Sequence, residues 1–409
     1  MERVDHRQAG IDLPLMSVSQ TRGVIRRSEL TDRPQRAESL DTYKICRKND
    51  IVFNKMSIRS GAMGVAPEDG LVTYHYEVMR PRPETSPQYI AYLMKSAWFT
   101  AELIKRERGI GAGDQASVRT TEVPFSVLKY IDCYFPPLDE QRAIADYLDR
   151  ETARIDTLIE EQQRLIEMLQ ERRQAVIESA AGRGIDAAAS MKSSGLSWID
   201  KVPDHWVVAN IRRFASMKTG HTPSRNNPDY WVDCTIPWFT LADVWQLRDG
   251  KRTYLGETES KISELGLANS AADLLPAETV VLSRTASVGF TGVMPEPMAT
   301  SQDFWNWVPG DQLDSVYLMW VFRAMRSEFQ ALMIGSTHKT IYQPTAAAIR
   351  IPVPPMDEQR RIAAYLDEQT AKIDTLIAET EMFIELSRER RAALITAAVT
   401  GQIDVRGAA

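Results

Sequence analysis

Pro136-Pro137-Leu138-Asp139-Glu140-Gln141-Arg142 returns further along the chain as Pro354-Pro355-Met356-Asp357-Glu358-Gln359-Arg360. The repeat continues from these motifs over residues 136–186 and 354–404, always 218 positions apart, and more than half of its 51 aligned positions are identical. A gap-free repeat of this length indicates two equivalent structural units. We therefore expect a chain built from two related halves.

Each copy of the repeat predicts a long amphipathic helix. Apolar residues recur at helical spacing in both copies, the opposite face is charged, and neither run contains a proline after its Pro-Pro pair. Asp139 and Asp357 are placed to cap the first turn. Asp149-Arg150-Glu151-Thr152 leaves open whether a short helix precedes a longer one. At about 1.5 Å per residue, each run spans roughly 60 Å.

A helix of that length needs a partner for its apolar stripe. We expect the two copies to pair with each other as an antiparallel two-stranded coiled coil. Polar residues would interrupt the seam at Gln162 and at Thr380 or Ser387, where they fix register at some cost in stability. The alternative is two unrelated surface helices on separate cores.

Composition restricts the class of protein. The 409 residues can form two or more domains, and 44% apolar and 25% charged residues are ordinary for a globular chain. The N-terminus has no signal-peptide pattern, no run is apolar enough to span a membrane, and Cys46, Cys133 and Cys234 are far apart. These features predict a cytoplasmic protein without a zinc site.

The net charge of −6 hides an uneven distribution. Residues 1–135 carry 20 basic against 17 acidic residues, whereas the first repeat, residues 136–186, carries 7 against 12. The acidic excess therefore lies in the predicted helices. The regions between the helices remain compatible with DNA contact.

The regions between the repeats predict α/β domains with a shared order of elements. Residues 1–135 form the first predicted domain, 136–186 the first repeat, 187–196 a linker, 197–353 the second domain and 354–409 the second repeat. Both domains have a strand, a polar turn, a helix and a polar loop before Pro-Pro. Two amphipathic helices are predicted, over Ser86–Glu107 and Tyr317–Leu332.

Signatures of catalysis are weak throughout the chain. Asn226-Asn227-Pro228-Asp229-Tyr230 has a faint likeness to an amino-methyltransferase loop, but a turn explains it better. Gly250-Lys251 lacks the glycine-rich loop of an ATP site, and the five histidines never reach metal-ligand spacing. The chain is expected to do no chemistry of its own.

Several motifs together resemble the specificity subunit of type I restriction–modification enzymes, and the resemblance covers almost the whole chain. Its carriers are the two Pro-Pro-x-Asp-Glu-Gln-Arg-x-Ile-Ala starts, Lys218-Thr219-Gly220-His221-Thr222-Pro223-Ser224, Ile236-Pro237-Trp238 and Val281-Leu282-Ser283-Arg284-Thr285.

The resemblance implies an α/β (α+β) fold with two target-recognition domains separated by a long antiparallel two-helix coiled coil. Each domain would read one half of a bipartite double-stranded DNA site, and the helices would set the spacing and dock methyltransferase subunits, two in number. Motor-nuclease (restriction) subunits would join that core. S-adenosylmethionine, ATP and Mg would bind only to partner subunits, so this chain would have no catalytic, cofactor or metal residues.

Base edges in the major groove are distinguished by Arg, Lys, Asn, Gln, Ser and Thr side chains. The polar turns after the predicted strands, and the loop before the second repeat, supply such residues. The candidates for DNA contact are Asn54, Lys55, Arg59, Ser283, Arg284, Ser287, His338 and Lys339. For each of them, a plain surface residue remains the alternative.

Two other functions stay open at this point. A coiled-coil adaptor with protein-binding α/β domains would not need duplicated, divergent domains, and an enzyme would need a cofactor loop. The first region is also shorter than the second before its strand and lacks the Thr-Gly-x-Thr-Pro motif. Either its true start lies upstream or the first domain is trimmed.

Overall fold

The chain is described by a computed structural model, which covers residues 1–32, 39–107, 128, 130–133, 135–332 and 340–405. It divides into two units. The first contains Met1–Gln163 and Met382–Ala409, and the second contains Arg164–Glu381. Each unit therefore consists of one α/β region together with part of each repeat.

The first unit is built on a four-stranded antiparallel sheet in the order β1-β8-β5-β6. Two smaller pairs, β2-β3 and β4-β7, lie in the same unit. Its elements are β1 Glu2–Val4, β2 Met16–Ser19, β3 Gly23–Arg26, β4 Lys44–Cys46, β5 Ile51–Asn54, β6 Met63–Val65, β7 Gly70–Val72, β8 Tyr76–Arg80, α1 Pro87–Lys95, α2 Ala97–Glu107, the beginning of α3 Leu138–Arg183, and the 3-10 turns Arg27–Glu29 and Ile58–Ser60.

The single helix predicted over Ser86–Glu107 is two helices. Ser86 is the N-cap of α1, and its hydroxyl accepts a hydrogen bond from the Tyr89 N–H. Ser96 then adopts an extended conformation, and its hydroxyl accepts from the Phe99 N–H at the start of α2. Because the Ser96 side chain caps the start of α2, α1 ends at Lys95 instead of continuing. The apolar periodicity alone does not reveal this break.

The second unit contains a four-stranded antiparallel sheet in the order β12-β18-β15-β16. A mixed sheet β14-β13-β17 and the pairs β10-β9 and β11-β19 complete its described strands. Its elements are β9 Met191–Ser193, β10 Lys201–Pro203, β11 Val207–Asn210, β12 Ala215–Thr219, β13 Ile236–Phe239, β14 Ser260–Ile262, α4 Glu264–Ala268, β15 Val280–Ser283, β16 Thr291–Val293, β17 Ala299–Thr300, β18 Phe304–Pro309, α5 Ser315–Ala324, α6 Arg326–Ala331, α7 Gln343–Ala347, β19 Arg350–Val353, the beginning of α8 Met356–Val399, and the 3-10 turns Ile211–Arg213, Pro228–Trp231 and Leu241–Leu247.

The helix predicted over Tyr317–Leu332 also differs from the structure. It is divided into α5 and α6, and nine of the ten residues of α5 are buried. α5 is therefore a core helix and not amphipathic. Its side chains pack in one cluster with the sheet residues Val280 and Trp307 and with Ile177 and Ile362 of the repeats. A helix covered on all sides needs no polar face.

The two four-stranded sheets have the same plan. The central strands β5 and β15 each pair with a neighbour on both sides, and each is preceded by a residue with positive φ, Asn49 at 74° and Glu278 at 66°. The backbone N–H of each of these residues donates to a carbonyl after the next strand, Ala66 or Met294. The shorter first region therefore still contains this whole sheet.

α3 and α8 are continuous helices, so the alternative of a short helix followed by a long one is wrong. The threonine at the suspected break lies inside each helix, where the hydroxyls of Thr152 and Thr370 donate to the carbonyls four residues earlier at 2.7 Å. Asp139 and Asp357 lie in the first turn, where a carboxylate suits the positive end of the helix dipole.

Gln141 and Gln359 of the repeated motif join the helices to the α/β regions. Each amide donates to the carbonyl of the first proline in its own Pro-Pro pair, at 2.8 and 2.9 Å. Each amide oxygen accepts a backbone N–H from the N-cap of a domain helix, Ser86 in the first unit and Asp314 in the second. Both glutamines are fully buried. The identity of the repeat at this position therefore has a structural cause.

The repeats pack as antiparallel partners within each unit. In the first unit Ile144 and Leu148 of α3 share a core with Ile395 and Val399 of α8. In the second unit Leu169 of α3 packs against α8. The predicted fold class is confirmed, and the alternative of unrelated surface helices is wrong.

The predicted polar interruptions also lie in or near this seam. Thr380 and Ser387 are buried, and Gln162 is half-buried.

The β9-β10 ribbon runs through part of the predicted linker, and the predicted domain boundaries stay a prediction. In the described part of the chain, no helix is long and apolar enough to cross a membrane.

Candidate nucleic-acid interface

In the second unit the polar turn after β15 holds Arg284 in a defined orientation. Its Nε–H donates to the Gln302 carbonyl at 2.7 Å, and its guanidinium carbon lies 4.3 Å from the ring centre of Trp305. Burial lowers the pKa of this arginine. Because the stem and Nε are held, the terminal NH₂ groups are the part of the side chain suited to recognising a ligand.

The Lys218–Ser224 motif is brought to the same place. A Cβ on Gly220 would stand 2.1 Å from the Thr300 carbonyl oxygen, so the close approach of the two segments requires glycine. Next to it, the Thr222 hydroxyl donates to the Gln302 side-chain oxygen at 2.7 Å. Gln302 thus links the motif to Arg284. Thr222, Gln302 and Trp305 are absent from the predicted contact residues, although the motif itself was a signal for Thr222.

The structure places Ser283 differently from the prediction. Its side chain is fully buried, and its hydroxyl has no hydrogen-bond partner within the described residues. It is the last residue of β15, all four residues of which are buried, and it pairs with buried Phe304 of β18. The Ser283 side chain is therefore not at the surface in this structure, and its contact with a base stays a prediction.

The other predicted residues of the second unit are near Arg284 or outside the described chain. Ser287 is half-buried in a tight turn that includes Ala286 at φ 59°. His338 and Lys339 lie outside the described residues. The described chain resumes at Thr340, whose hydroxyl donates to the Arg284 carbonyl at 2.9 Å.

In the first unit Asn54 is the last residue of β5, Lys55 follows it, and Arg59 lies in the 3-10 turn Ile58–Ser60; all three are half-buried. The Asn54 side-chain oxygen accepts the Met56 N–H at 3.0 Å, so part of this amide is used to shape the turn. The Lys55 ammonium lies 3.7 Å from a carboxylate oxygen of Glu77.

A polar cavity of about 410 Å³ adjoins Lys55. Buried Glu77 receives two hydrogen bonds from Arg3 and one from the fully buried Lys44. Burial alone would raise the pKa of Glu77, but these cations lower it. The lining is Arg3, Asp5, Arg7, Thr42, Lys44, Lys55, Tyr74 and Glu77, which gives four cations against two carboxylates. This side of the first domain is therefore electropositive.

The two turns occupy equivalent backbone positions and carry different chemistry. Lys55 follows β5 as Arg284 follows β15. Glu77 on β8 pairs with the third residue of β5, and Trp305 on β18 pairs with the third residue of β15. A lysine beside a carboxylate thus replaces an arginine stacked on an indole. Among the described residues no cluster of histidine, cysteine or carboxylate side chains could hold a metal ion.

Residues 203–384 match the family described as type I restriction modification DNA specificity domain. The MjaIX type I restriction enzyme specificity subunit of Methanocaldococcus jannaschii is 28% identical over 193 residues. That alignment covers 47% of this chain and 44% of the relative, so the chain spans less than half the length of this relative.

Two solved structures share the fold over nearly the whole chain. The HsdS subunit from Thermoanaerobacter tengcongensis has a TM-score of 0.56 at 18% identity, covering 98% of this chain and 94% of its own. A chain from a study of complex assembly and conformational transition of the type I R-M system has a TM-score of 0.68 at 16% identity, covering 98% of both chains. At these identities the likeness concerns the fold.

Proposed function

We propose that this chain, whose residues 203–384 match the type I restriction modification DNA specificity domain, is a sequence-specific DNA-recognition subunit of a type I restriction–modification system. Each α/β region reads one half of a bipartite site. The antiparallel helices set the spacing and dock methyltransferase subunits, two per chain. Restriction subunits join this assembly.

The observation that carries the proposal is the pair of equivalent turns after β5 and β15. The two units contain equivalent four-stranded sheets. In the turn after the central strand, the first unit has Lys55 near Glu77, and the second has Arg284 stacked on Trp305. A duplicated frame with divergent polar surfaces is what an asymmetric two-part site requires. A protein-binding adaptor has no need of it.

The chemistry of the two turns suits DNA. An arginine whose stem is fixed can present its terminal nitrogens to guanine O6 and N7, a pairing that discriminates bases by about 1–3 kcal/mol. The cation-rich cavity of the first unit suits phosphate oxygens, which position a protein on the duplex without reading its sequence. Arg284 is therefore assigned to base reading and the Lys55 side of the cavity to backbone contact.

We assign no catalytic step and no cofactor to this chain. S-adenosylmethionine, ATP and Mg²⁺ belong to the partner subunits in this proposal. We place the protein in the cytoplasm, because the complex acts on DNA.

The test is to co-express the chain with a cognate methyltransferase subunit and to map methylated bases across plasmid DNA. Wild type should give two short half-sites separated by a fixed gap. Arg284→Ala should relax the sequence at one position of one half-site, whereas Lys55→Ala should weaken methylation at all sites and lower the salt dependence. Arg212→Ala and Lys105→Ala, at exposed positions outside the two turns, serve as matched controls.

Three outcomes would contradict the proposal in different ways. Methylation with only one half-site would remove the reading role of one unit. A stable complex without any methylation would favour the protein-binding adaptor. Binding of S-adenosylmethionine by the isolated chain would restore the hypothesis of an enzyme.

A further inference from the structure

The second unit contains a polar cluster where the core helix of the α/β region meets both long helices. The Trp320 indole N–H of α5 donates to the Asp367 carboxylate of α8 at 3.1 Å. Arg173 of α3 donates to both oxygens of Asp374 on α8, at 3.0 and 3.2 Å, and to the Gly250 carbonyl at 2.8 Å. Three elements are therefore joined by directional hydrogen bonds.

A buried cation completes this cluster. Arg323, one turn after Trp320 on α5, has its guanidinium carbon 4.6 Å from the Trp320 ring centre and donates to the Arg252 carbonyl. It is 8% exposed, and its second terminal nitrogen has no hydrogen-bond partner within the described residues. Burial, reinforced by Arg173, lowers the pKa of Arg323 to about 10.

The first unit repeats the arrangement with other residue types. The Tyr92 hydroxyl of α1 donates to the Asp149 carboxylate of α3 at 2.5 Å. Arg391 of α8 lies 2.9 Å from Asp156 of α3 as an ion pair, without the alignment of a good hydrogen bond. Lys95 lies one turn after Tyr92, as Arg323 does after Trp320, and burial followed by the charge of Arg391 lowers its pKa.

Each residue of the cluster in the first unit corresponds to a residue of the cluster in the second unit. Asp149 and Asp156 occupy the repeat positions of Asp367 and Asp374, and Arg391 occupies that of Arg173. On the domain helices the spacing of Tyr92 and Lys95 equals that of Trp320 and Arg323. The donor to the first aspartate is a phenol in one unit and an indole in the other. The hydrogen bond is thus retained while its donor differs.

Stability alone does not account for such a cluster. Partly buried charges lose their hydration, and well-packed apolar side chains of similar volume are often as stabilising. Directional polar contacts differ from apolar ones because they favour one relative placement of the elements over its neighbours. The retained geometry therefore points to a positioning role.

We propose that four residues of the cluster in each unit form a polar joint that fixes the orientation of each recognition domain on the helix pair, and thereby the gap length accepted between half-sites. The polar joint consists of Tyr92, Asp149, Asp156 and Arg391 in the first unit and of Trp320, Asp367, Arg173 and Asp374 in the second. This rests on the proposed function. Its residues act through the placement of the domain and touch no base.

The experiment uses the full complex with methyltransferase subunits and a plasmid library. In the library the two wild-type half-sites are separated by the natural gap and by gaps one and two base pairs shorter or longer. Trp320→Phe and Tyr92→Phe remove one donor each and keep a ring in place. Trp245→Phe and Tyr342→Phe, at exposed positions outside the joint, are the matched controls.

Both joint variants should keep the two half-site sequences. Methylation at the wrong gaps, relative to the natural gap, should rise about fivefold, the factor that loss of one ordinary hydrogen bond gives. Trp320→Tyr, which carries the donor type of the first unit, should restore the wild-type gap profile.

The outcomes separate the joint from the proposed function. An unchanged gap profile in both Phe variants, with wild type methylating a split site, overturns the joint alone. Equal loss of methylation at every gap also overturns it, because it indicates a general loss of stability. A wild-type complex that methylates no split site overturns the proposed function and the joint with it.

Discussion

Asp374 accepts two of the three hydrogen bonds that the Arg173 guanidinium donates, across the antiparallel helices of the second unit. The equivalent pair of the first unit, Asp156 with Arg391, is a single contact at 2.9 Å. The side chains are 14% and 16% exposed in the second unit, against 34% for Arg391 and 50% for Asp156 in the first. The Asp–Arg pair formed by the same two repeat positions is thus more exposed to solvent in the first unit than in the second.

We expect the two pairs to differ in coupling energy. A double-mutant cycle with Arg173→Gln and Asp374→Asn should give about 1–2 kcal/mol, whereas Arg391→Gln with Asp156→Asn should give at most about 0.5 kcal/mol, because exposed single contacts are screened. The measurement is urea-dependent hydrogen exchange of peptides from each unit. Equal coupling in the two units would contradict the importance of bidentate geometry and burial.

Gln359→Leu should destabilise the second unit by about 1–3 kcal/mol, because the substitution leaves one buried and two partly buried backbone groups without their hydrogen bonds to Gln359. These groups are the Asp314 N–H and the carbonyls of Gln312 and Pro354. Urea unfolding followed by tryptophan fluorescence reports this unit. Gln170→Leu, at an exposed position of α3, should change the midpoint little, and a similar shift in both variants would refute the role of Gln359.

Ser283→Ala should leave the recognised half-site unchanged. The hydroxyl is buried without a partner among the described residues, so its removal should be neutral or stabilising by up to about 1 kcal/mol. The measurements are the methylated motif and the urea midpoint, with Arg284→Ala as the contrasting variant. A changed motif in Ser283→Ala would show that β15 opens to expose this side chain on DNA.

Lys95→Met should stabilise the first unit at pH 7. The folded-state pKa of Lys95 is lowered by burial and by Arg391, so the folded protein binds fewer protons than the unfolded chain between that pKa and about 10.4. Wild-type stability attributable to Lys95 therefore rises with pH through this window, and the penalty is fully present below it.

The expected gain is about 2–4 °C in melting temperature near neutral pH, and it should shrink as the pH approaches 10. Differential scanning calorimetry of wild type and variant over this range measures it. Lys105→Met, which removes an exposed lysine paired with Glu102, should show no such trend. A gain that is constant with pH would assign the effect to packing and not to charge.

Much of the architecture was predictable because its signals are local or periodic. The repeat, its helical apolar spacing and the Pro-Pro start specified two long helices, and the polar turns after apolar strands located Lys55 and Arg284. The break at Ser96 was missed because a serine cap competes with helix continuation over only a few residues. The burial of α5 was missed because its residues are covered by elements far away in the chain.

The amino-acid sequence by itself determined the two-unit plan and the helix pairing, since a repeat with an apolar stripe has few ways to bury it other than against its own copy. Only the tertiary structure decided which polar residues are accessible. Ser283 and Arg284 are neighbours in sequence, yet one side chain faces the core and the next stacks on Trp305. Both faces of β15 are covered, so Ser283 at its end is buried, whereas Arg284 lies just beyond the strand; the packing of elements distant in sequence decides this.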